Sequence, residues 1–169
     1  MTKINSDITR IKSKLRKKGY AVDQSASRVL IDRVEEQLGI TLPEELTLFY
    51  TEIANGCPMI DDFSLKPIEE WEIDKETINN EFPFSEYWVW EDEESDPEDE
   101  KLESIYCGSI ELINVGGGQA WHIIVNGKEK GQMWFFTGVG IQPCAPKLNF
   151  LSWFECWLDG TQNYFQEID

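Results

Sequence analysis

Basic side chains are scarce in this sequence, and nearly half of them lie at its N-terminus. The 169 residues carry 15 lysines and arginines against 32 aspartates and glutamates, a formal net charge of −17. Such a surface repels a phosphate backbone, so we expect no nucleic-acid partner. A basic protein partner is favoured, because opposite net fields steer two proteins together. The alternative is that the acidic surface serves solubility alone.

Residue patterns that build metal and redox sites are also lacking. The cysteines Cys57, Cys107, Cys144 and Cys156 are far apart with no C-x-x-C pair, and His122 is the only histidine. These spacings argue against a zinc site and against a dense disulfide framework, and they favour reduced thiols in a cytoplasmic protein. We therefore expect neither a metal nor a cofactor.

Long hydrophobic runs are absent as well. No apolar stretch approaches the roughly 18 residues of a membrane span, and the lysine-containing N-terminus lacks the apolar segment of a signal peptide. The sequence thus predicts a protein with no membrane association. Hydrophobic residues still make up 41% of the chain, enough for one domain with a substantial core.

The strongest β-forming pattern lies in residues 105–136. Asn126-Gly127 favours a hairpin, because a tight turn needs positive φ. Three runs rich in β-branched and aromatic residues predict an antiparallel β-meander: 109–115, 120–125 and 132–137. In residues 139–147, Pro143 and Pro146 are expected to prevent a central strand.

Two features of this region resemble functional motifs superficially. Gly116, Gly117 and Gly118 match neither phosphate-binding glycine motif and precede a strand, so they predict a wide turn or bulge with positive φ. His122, between Trp121 and Ile123, is expected to be a sheet residue and not a general base. With no carboxylate pair singled out by an apolar context, the sequence predicts no catalytic residue and no enzyme.

The basic segment 1–22 predicts an amphipathic helix with an N-cap at Ser6. Ile8, Ile11 and Leu15 form its apolar stripe, and its lysines would lie in solvent or face the protein's own acids. The alternative function is a basic arm for acidic targets.

Three further helices are predicted from periodicity. The first runs from about Ser25 or Ser27, with Val29, Leu30, Val34 and Leu38 as its stripe; the second follows Pro43, with Leu46, Phe49, Tyr50 and Ile53 as its stripe. A closing aromatic helix begins near Asn149 or at Ser152, whose spacing to Glu155 is that of a capping box. Residues 161–169 are expected to form a tail, with Tyr164 and Phe165 in contact with the domain.

Several of these segments together resemble a known family. Residues 34–46 (VEEQLGITLPEEL), then Phe49-Tyr50 and Asn55-Gly56, are similar to the helix–LP–helix–NG signature of the SMI1/KNR4 (SUKH) superfamily. Residues 108–110 (GSI) and 150–154 (FLSWF) correspond to its central and closing motifs. The resemblance covers about residues 28–160. It departs from the pattern at Cys57, where relatives often have a second glycine.

This resemblance implies an immunity protein that binds and neutralises a bacterial polymorphic toxin. Such toxins are often nucleases with basic clefts, which an acidic inhibitor could occlude. The alternative implied by the fungal branch is a non-enzymatic regulatory scaffold, and a small-molecule binder is a third possibility. The oligomeric state is left open, with a monomer favoured.

The acidic segment 91–103 is the best candidate for the partner-binding surface. It carries nine acids and one lysine with little apolar anchoring, which predicts a solvated, mobile loop between two strands, and it lacks the spaced ligand pattern of a calcium loop. Exposed aromatic residues would assist it, as at other interfaces. The expected partner-binding residues are Tyr87, Trp90, Glu91, Asp92, Glu93, Glu94, Asp96, Glu98, Asp99 and Glu100.

The sequence as a whole predicts one α+β domain over residues 1–169. We expect N-terminal helices, a mainly antiparallel sheet that could include a parallel pair, and a C-terminal aromatic helix packed on the sheet.

Overall fold

The computed structural model describes residues 2–20, 22, 24–58, 64–161 and 164. Within them the helices are α1 (Lys3–Lys17), α2 (Arg28–Leu38), α3 (Glu44–Glu52), α4 (Asp99–Ser104) and α5 (Phe150–Asp159). The strands are β1 (Cys57–Pro58), β2 (Ser64–Leu65), β3 (Trp88–Val89), β4 (Ser109–Gly116), β5 (Gln119–Ile124), β6 (Met133–Phe136) and β7 (Gly140–Pro143). Short 3-10 turns occupy Ile68–Glu70 and Trp90–Asp92.

An antiparallel sheet of order β3-β7-β6-β5-β4 forms the centre of the fold. Strands β4 to β7 follow one another in the sheet, so the predicted meander and the α+β class are confirmed. Gly116 ends β4, and Gly117-Gly118 form the two-residue turn to β5; the three φ values are 83°, 61° and 77°. The glycines therefore have the positive φ that the sequence predicted, but the turn is tight and the irregularity lies beside it, between Asn114 and Gly116.

The expectation that Pro143 and Pro146 prevent a central strand was wrong. Strand β7 lies between β6 and β3, and Pro143 is its last residue. Strand β3 pairs only with Gly140 and Ile141 of β7. The missing N–H of Pro143 therefore removes no bond of that ladder, which is why proline is tolerated there.

The two faces of the sheet belong to two hydrophobic clusters. The first face carries residues such as Trp121, Ile123 and Met133, and it packs in one cluster with residues of α1, α2, α3 and α5. The second face carries Ile124, Trp134, Phe136 and Ile141, which pack with Phe82, Trp88 and Ile105 from the chain before β4. Helices therefore cover one face, whereas loops and short elements partly cover the other.

Helix α1 begins earlier than predicted, and its cap is Thr2. The Thr2 side chain accepts a hydrogen bond from the Asn5 N–H at 3.2 Å, so Ser6 lies inside the helix. Ile8, Ile11 and Leu15 are buried as expected.

Helix α2 buries most of the predicted stripe, because Leu38 is buried and Leu30 and Val34 are partly buried against the same cluster. Ser27 is its N-cap, and Ile31 is fully buried, whereas Val29 is 65% exposed. The prediction was wrong only at Val29, since spacing alone did not decide whether Val29 or Ile31 faces inward. The stripe predicted for α3, by contrast, is entirely buried.

Helix α5 begins at Phe150 with Asn149 as its N-cap residue, which confirms the earlier of the two predicted starts and excludes the capping box at Ser152. Glu155 lies in the middle of the helix and pairs with α1. Tyr164 is buried, and its hydroxyl donates to the Trp153 carbonyl at 2.7 Å. Phe165 and most of the predicted tail lie outside the described residues.

Candidate protein-binding surface

An open groove of about 750 Å³ lies on the second face of the sheet, beyond the part that loops cover. Ala120, His122 and Phe136 of β5 and β6 contribute to its lining. Side chains of a strand alternate between the two faces of the sheet, so Ala120 and His122 lie on the same face as the buried Ile124. The apolar cluster therefore continues into a surface that a partner can reach.

Carboxylates surround this groove. Glu72, Asp74 and Glu76 follow the 3-10 turn Ile68–Glu70. Glu103 belongs to α4 and Glu111 to β4. Glu111 is paired with Lys66 at 3.0 Å, and Asp74 accepts the Glu76 N–H at 2.8 Å. Among the described residues, no lysine or arginine lines the groove. Its potential is consequently negative.

His122 is held neutral beneath this groove. It is 7% exposed, and its ring stacks on Phe136 with 3.9 Å between centroids and an interplanar angle of 8°. Its Nδ1 lies 3.2 Å from the Ser109 hydroxyl. Burial, with a smaller contribution from the charge of Lys66, lowers the pKa of His122 to about 3. His122 is a sheet residue, as predicted, and it carries no charge at neutral pH.

The segment predicted as the binding surface lies beside the groove and not inside it. Residues 91–96 and 98–100 are exposed, and α4 connects them to Leu102 and Glu103 of the groove lining. Tyr87 is 45% exposed and lines a separate, smaller cavity next to Lys147, whereas Trp90 is half-buried against Trp88.

This acidic segment is more structured than predicted. It contains the 3-10 turn Trp90–Asp92 and helix α4. The Trp88 indole N–H donates to Glu93 Oε1 at 2.6 Å, and Lys101 Nζ lies 4.0 Å from the Trp88 ring centroid. Trp88 thus anchors the segment through its indole N–H and its ring, and the composition of the segment does not show these contacts.

The basic N-terminal segment faces the protein's own acids. Arg10 donates to both carboxylate oxygens of Glu155 at 2.7 Å, and Lys14 contacts Glu155 and Asp159 at 2.7 Å. Hydrogen bonds from Arg10, followed by those from Lys14, lower the pKa of Glu155 to about 2. The geometry matches the interpretation of α1 as a packed helix, with Arg10 and Lys14 serving to attach it to α5.

Neither nucleophiles nor metal ligands are assembled in the described part of the chain. All four cysteines are free, and burial raises the pKa of Cys57 and Cys144 to about 12, so both thiols stay protonated. Among the described residues, no group of three or more histidine, cysteine or acidic side chains is placed to hold a metal ion. No helix of this part is both long and apolar enough to cross a membrane.

Sequence reasoning did not identify the groove itself. Its lining comes from residues 72–77, 102–106, 109–122 and 136–137, which only the folded sheet brings together. One signal was present, because Ser109, Glu111 and His122 are polar positions in otherwise apolar strands. Polar residues on one side of adjacent strands indicate a face that is not fully covered.

Fold and surface together define an α+β domain with helices on one sheet face and an open acidic groove on the other. The chain belongs to the SMI1 / KNR4 family (SUKH-1), whose family profile matches residues 25–159. No curated protein and no solved structure shows significant similarity to it.

Proposed function

We propose that this protein is an immunity protein, which binds a cognate bacterial toxin domain and occludes it with an acidic surface. Family membership supports this role, since the matched region spans most of the chain. The proposed mechanism is stoichiometric occlusion without catalysis, in the cytoplasm. The expected partner carries a basic surface, for example the substrate cleft of a nuclease.

The observation that carries the proposal is the density of acidic side chains in one stretch of the chain that includes the groove and the acidic segment. Residues 69–111 contain seventeen acidic and two basic side chains. The exposed carboxylates of the acidic segment and those around the groove adjoin one another through α4. A basic partner would therefore meet a wide negative field, which raises the association rate and disfavours acidic competitors.

The aromatic residues nearby give this surface a way to bind tightly. Tyr106 is 54% exposed at the groove, and Tyr87 is 45% exposed near the start of the acidic segment. Aromatic anchors within a charged rim are typical of residues that dominate binding energy at interfaces. Tyr87, Trp90 and the acids of residues 91–100 therefore remain the proposed contact residues, joined by Tyr106.

Co-expression with the product of the neighbouring toxin-bearing gene tests the proposal. We expect the protein to restore growth of cells that express this toxin and to co-purify with it as a stable complex. Restored growth without a complex, or a complex that leaves the toxin active, would contradict occlusion. Absence of a toxin-bearing neighbour, combined with capture of a housekeeping protein, would favour the regulatory scaffold.

A further inference from the structure

We propose that the groove on the second sheet face receives an arginine side chain of the partner protein. That the partner is a toxin rests on the proposed function. The chemistry of the groove, however, stands on its own residues and can be tested without the partner.

The first argument is the free carboxylates at the rim. Glu72, Glu76 and Glu103 line the groove, and none of the three forms an ion pair or side-chain hydrogen bond among the described residues. Unpaired carboxylates that converge on a concave surface attract a cation more strongly than isolated surface acids do. A planar guanidinium can engage two carboxylate oxygens at once, which an ammonium cannot.

The second argument is the aromatic surface inside that rim. Tyr106 is half-exposed, and its ring centroid lies 6.0 Å from that of Phe136 and 6.4 Å from that of His122. Guanidinium groups stack on aromatic faces, and the attraction grows where water is partly excluded. An exposed tyrosine among acids therefore suits an arginine better than an apolar side chain.

The third argument is His122, a buried ring that contributes to the lining of the groove. The Ser109 hydroxyl donates to the Tyr106 carbonyl at 3.4 Å and lies 3.2 Å from His122 Nδ1, and the roles in this second contact depend on the His122 tautomer. In the tautomer that carries its proton on Nδ1, the Ser109 oxygen accepts that bond and Nε2 is left as an acceptor. A guanidinium N–H in the groove supplies a donor to such an acceptor. Because His122 stays neutral, it does not repel the cation.

The experiment titrates the purified protein with Nα-acetyl-arginine amide and follows the ¹⁵N shift of His122 Nε2. His122 is the only histidine, so the signal is unambiguous. We expect a saturable shift in the millimolar range, no shift with the uncharged citrulline amide, and binding of the lysine amide weaker by about fivefold. Equal shifts with all three compounds, or none with arginine, would overturn the proposal.

Variants locate the binding. Tyr106→Ala and Glu103→Gln should each weaken arginine binding by about fivefold, whereas Glu36→Gln, an exposed acid on α2, should leave it unchanged. Equal binding by the groove variants and the wild-type protein would also overturn the proposal. If the protein neutralises the toxin but does not bind arginine, the arginine site in the groove is rejected and the immunity role is kept. Arginine binding without toxin neutralisation would instead reject the immunity role.

Discussion

The indole N–H of Trp88 donates a 2.6 Å hydrogen bond to the carboxylate of Glu93. Trp88 is buried in the second hydrophobic cluster, so this bond ties the acidic segment to the sheet. Lys101 of α4 lies over the same ring. The segment that we propose as part of the interface is thus held in place before a partner arrives, which lowers the ordering cost of binding.

We predict that Glu93→Ala loosens α4. Because Glu93 is exposed to solvent, loss of this hydrogen bond should cost about 1 kcal/mol, which should raise amide hydrogen exchange at Leu102 roughly fivefold. The control is Glu94→Ala, because no hydrogen bond or ion pair of Glu94 is found among the described residues. Equal exchange in the two variants would show that Trp88 does not anchor the segment.

We predict that the stabilising effect of Glu155 disappears in acid. Its pKa is about 2 in the folded protein against an ordinary value of 4.5. The unfolded chain therefore binds the proton first, and this stabilisation is present above about pH 4.5 and lost as the pH falls towards 2. After allowance for solvent screening, the effect should be on the order of 1 kcal/mol.

Urea unfolding of the wild-type protein and Glu155→Gln at several pH values measures this effect. The difference in stability between them should shrink from pH 6.5 to pH 3, while Glu36→Gln should show no such trend. A constant difference across this range would mean that Arg10 and Lys14 do not depress the pKa of Glu155.

We predict that His122 remains neutral well below pH 6.5. Its folded pKa of about 3 means that the unfolded chain takes up the proton first, so burial of this ring destabilises the fold progressively below about pH 6.5. The ring nitrogen shifts should stay constant from pH 8 to pH 5. A titration midpoint near 6 would contradict the burial of this ring.

We predict that Gly56→Ala is far more destabilising than Gly117→Ala. Both glycines have positive φ, but a Cβ on Gly56 would lie 2.5 Å from the Leu65 carbonyl oxygen, whereas one on Gly117 would meet nothing within 4 Å. The Gly117 variant should cost about 1 kcal/mol, and the Gly56 variant at least about 3 kcal/mol. Urea unfolding measures both, and equal losses would refute the steric account.

The Asn55-Gly56 motif illustrates what the sequence could predict. Its position after a helix indicated a left-handed turn, and Gly56 has φ of 82°. The sequence could not show why both residues are needed. The Asn55 side chain accepts from the Ile68 N–H at 2.9 Å and donates to Glu69, so the pair attaches the first 3-10 turn to the end of α3.

Local patterns predicted the elements well, because periodicity and turn residues act over a few positions. The meander, the buried stripe of α3 and the glycine turn all belong to this class. Failures arose where distant residues decide the outcome. Glu155 was assigned to a local cap but binds Arg10, and Pro143 is accommodated because β3 is so short. The groove likewise depends on four separated segments.

The affinity of the complex with its toxin, measured against salt concentration, tests the central claim most directly. The triple variant Glu94→Gln, Asp96→Asn and Glu98→Gln removes three exposed charges of the acidic segment. The matched control removes three exposed charges of α2 and α3 with Glu36→Gln, Glu44→Gln and Glu52→Gln. We predict that the first variant binds about tenfold more weakly with a shallower salt dependence, and that the control behaves like wild type. Equal affinities and equal salt slopes for the two variants would contradict binding through this acidic surface.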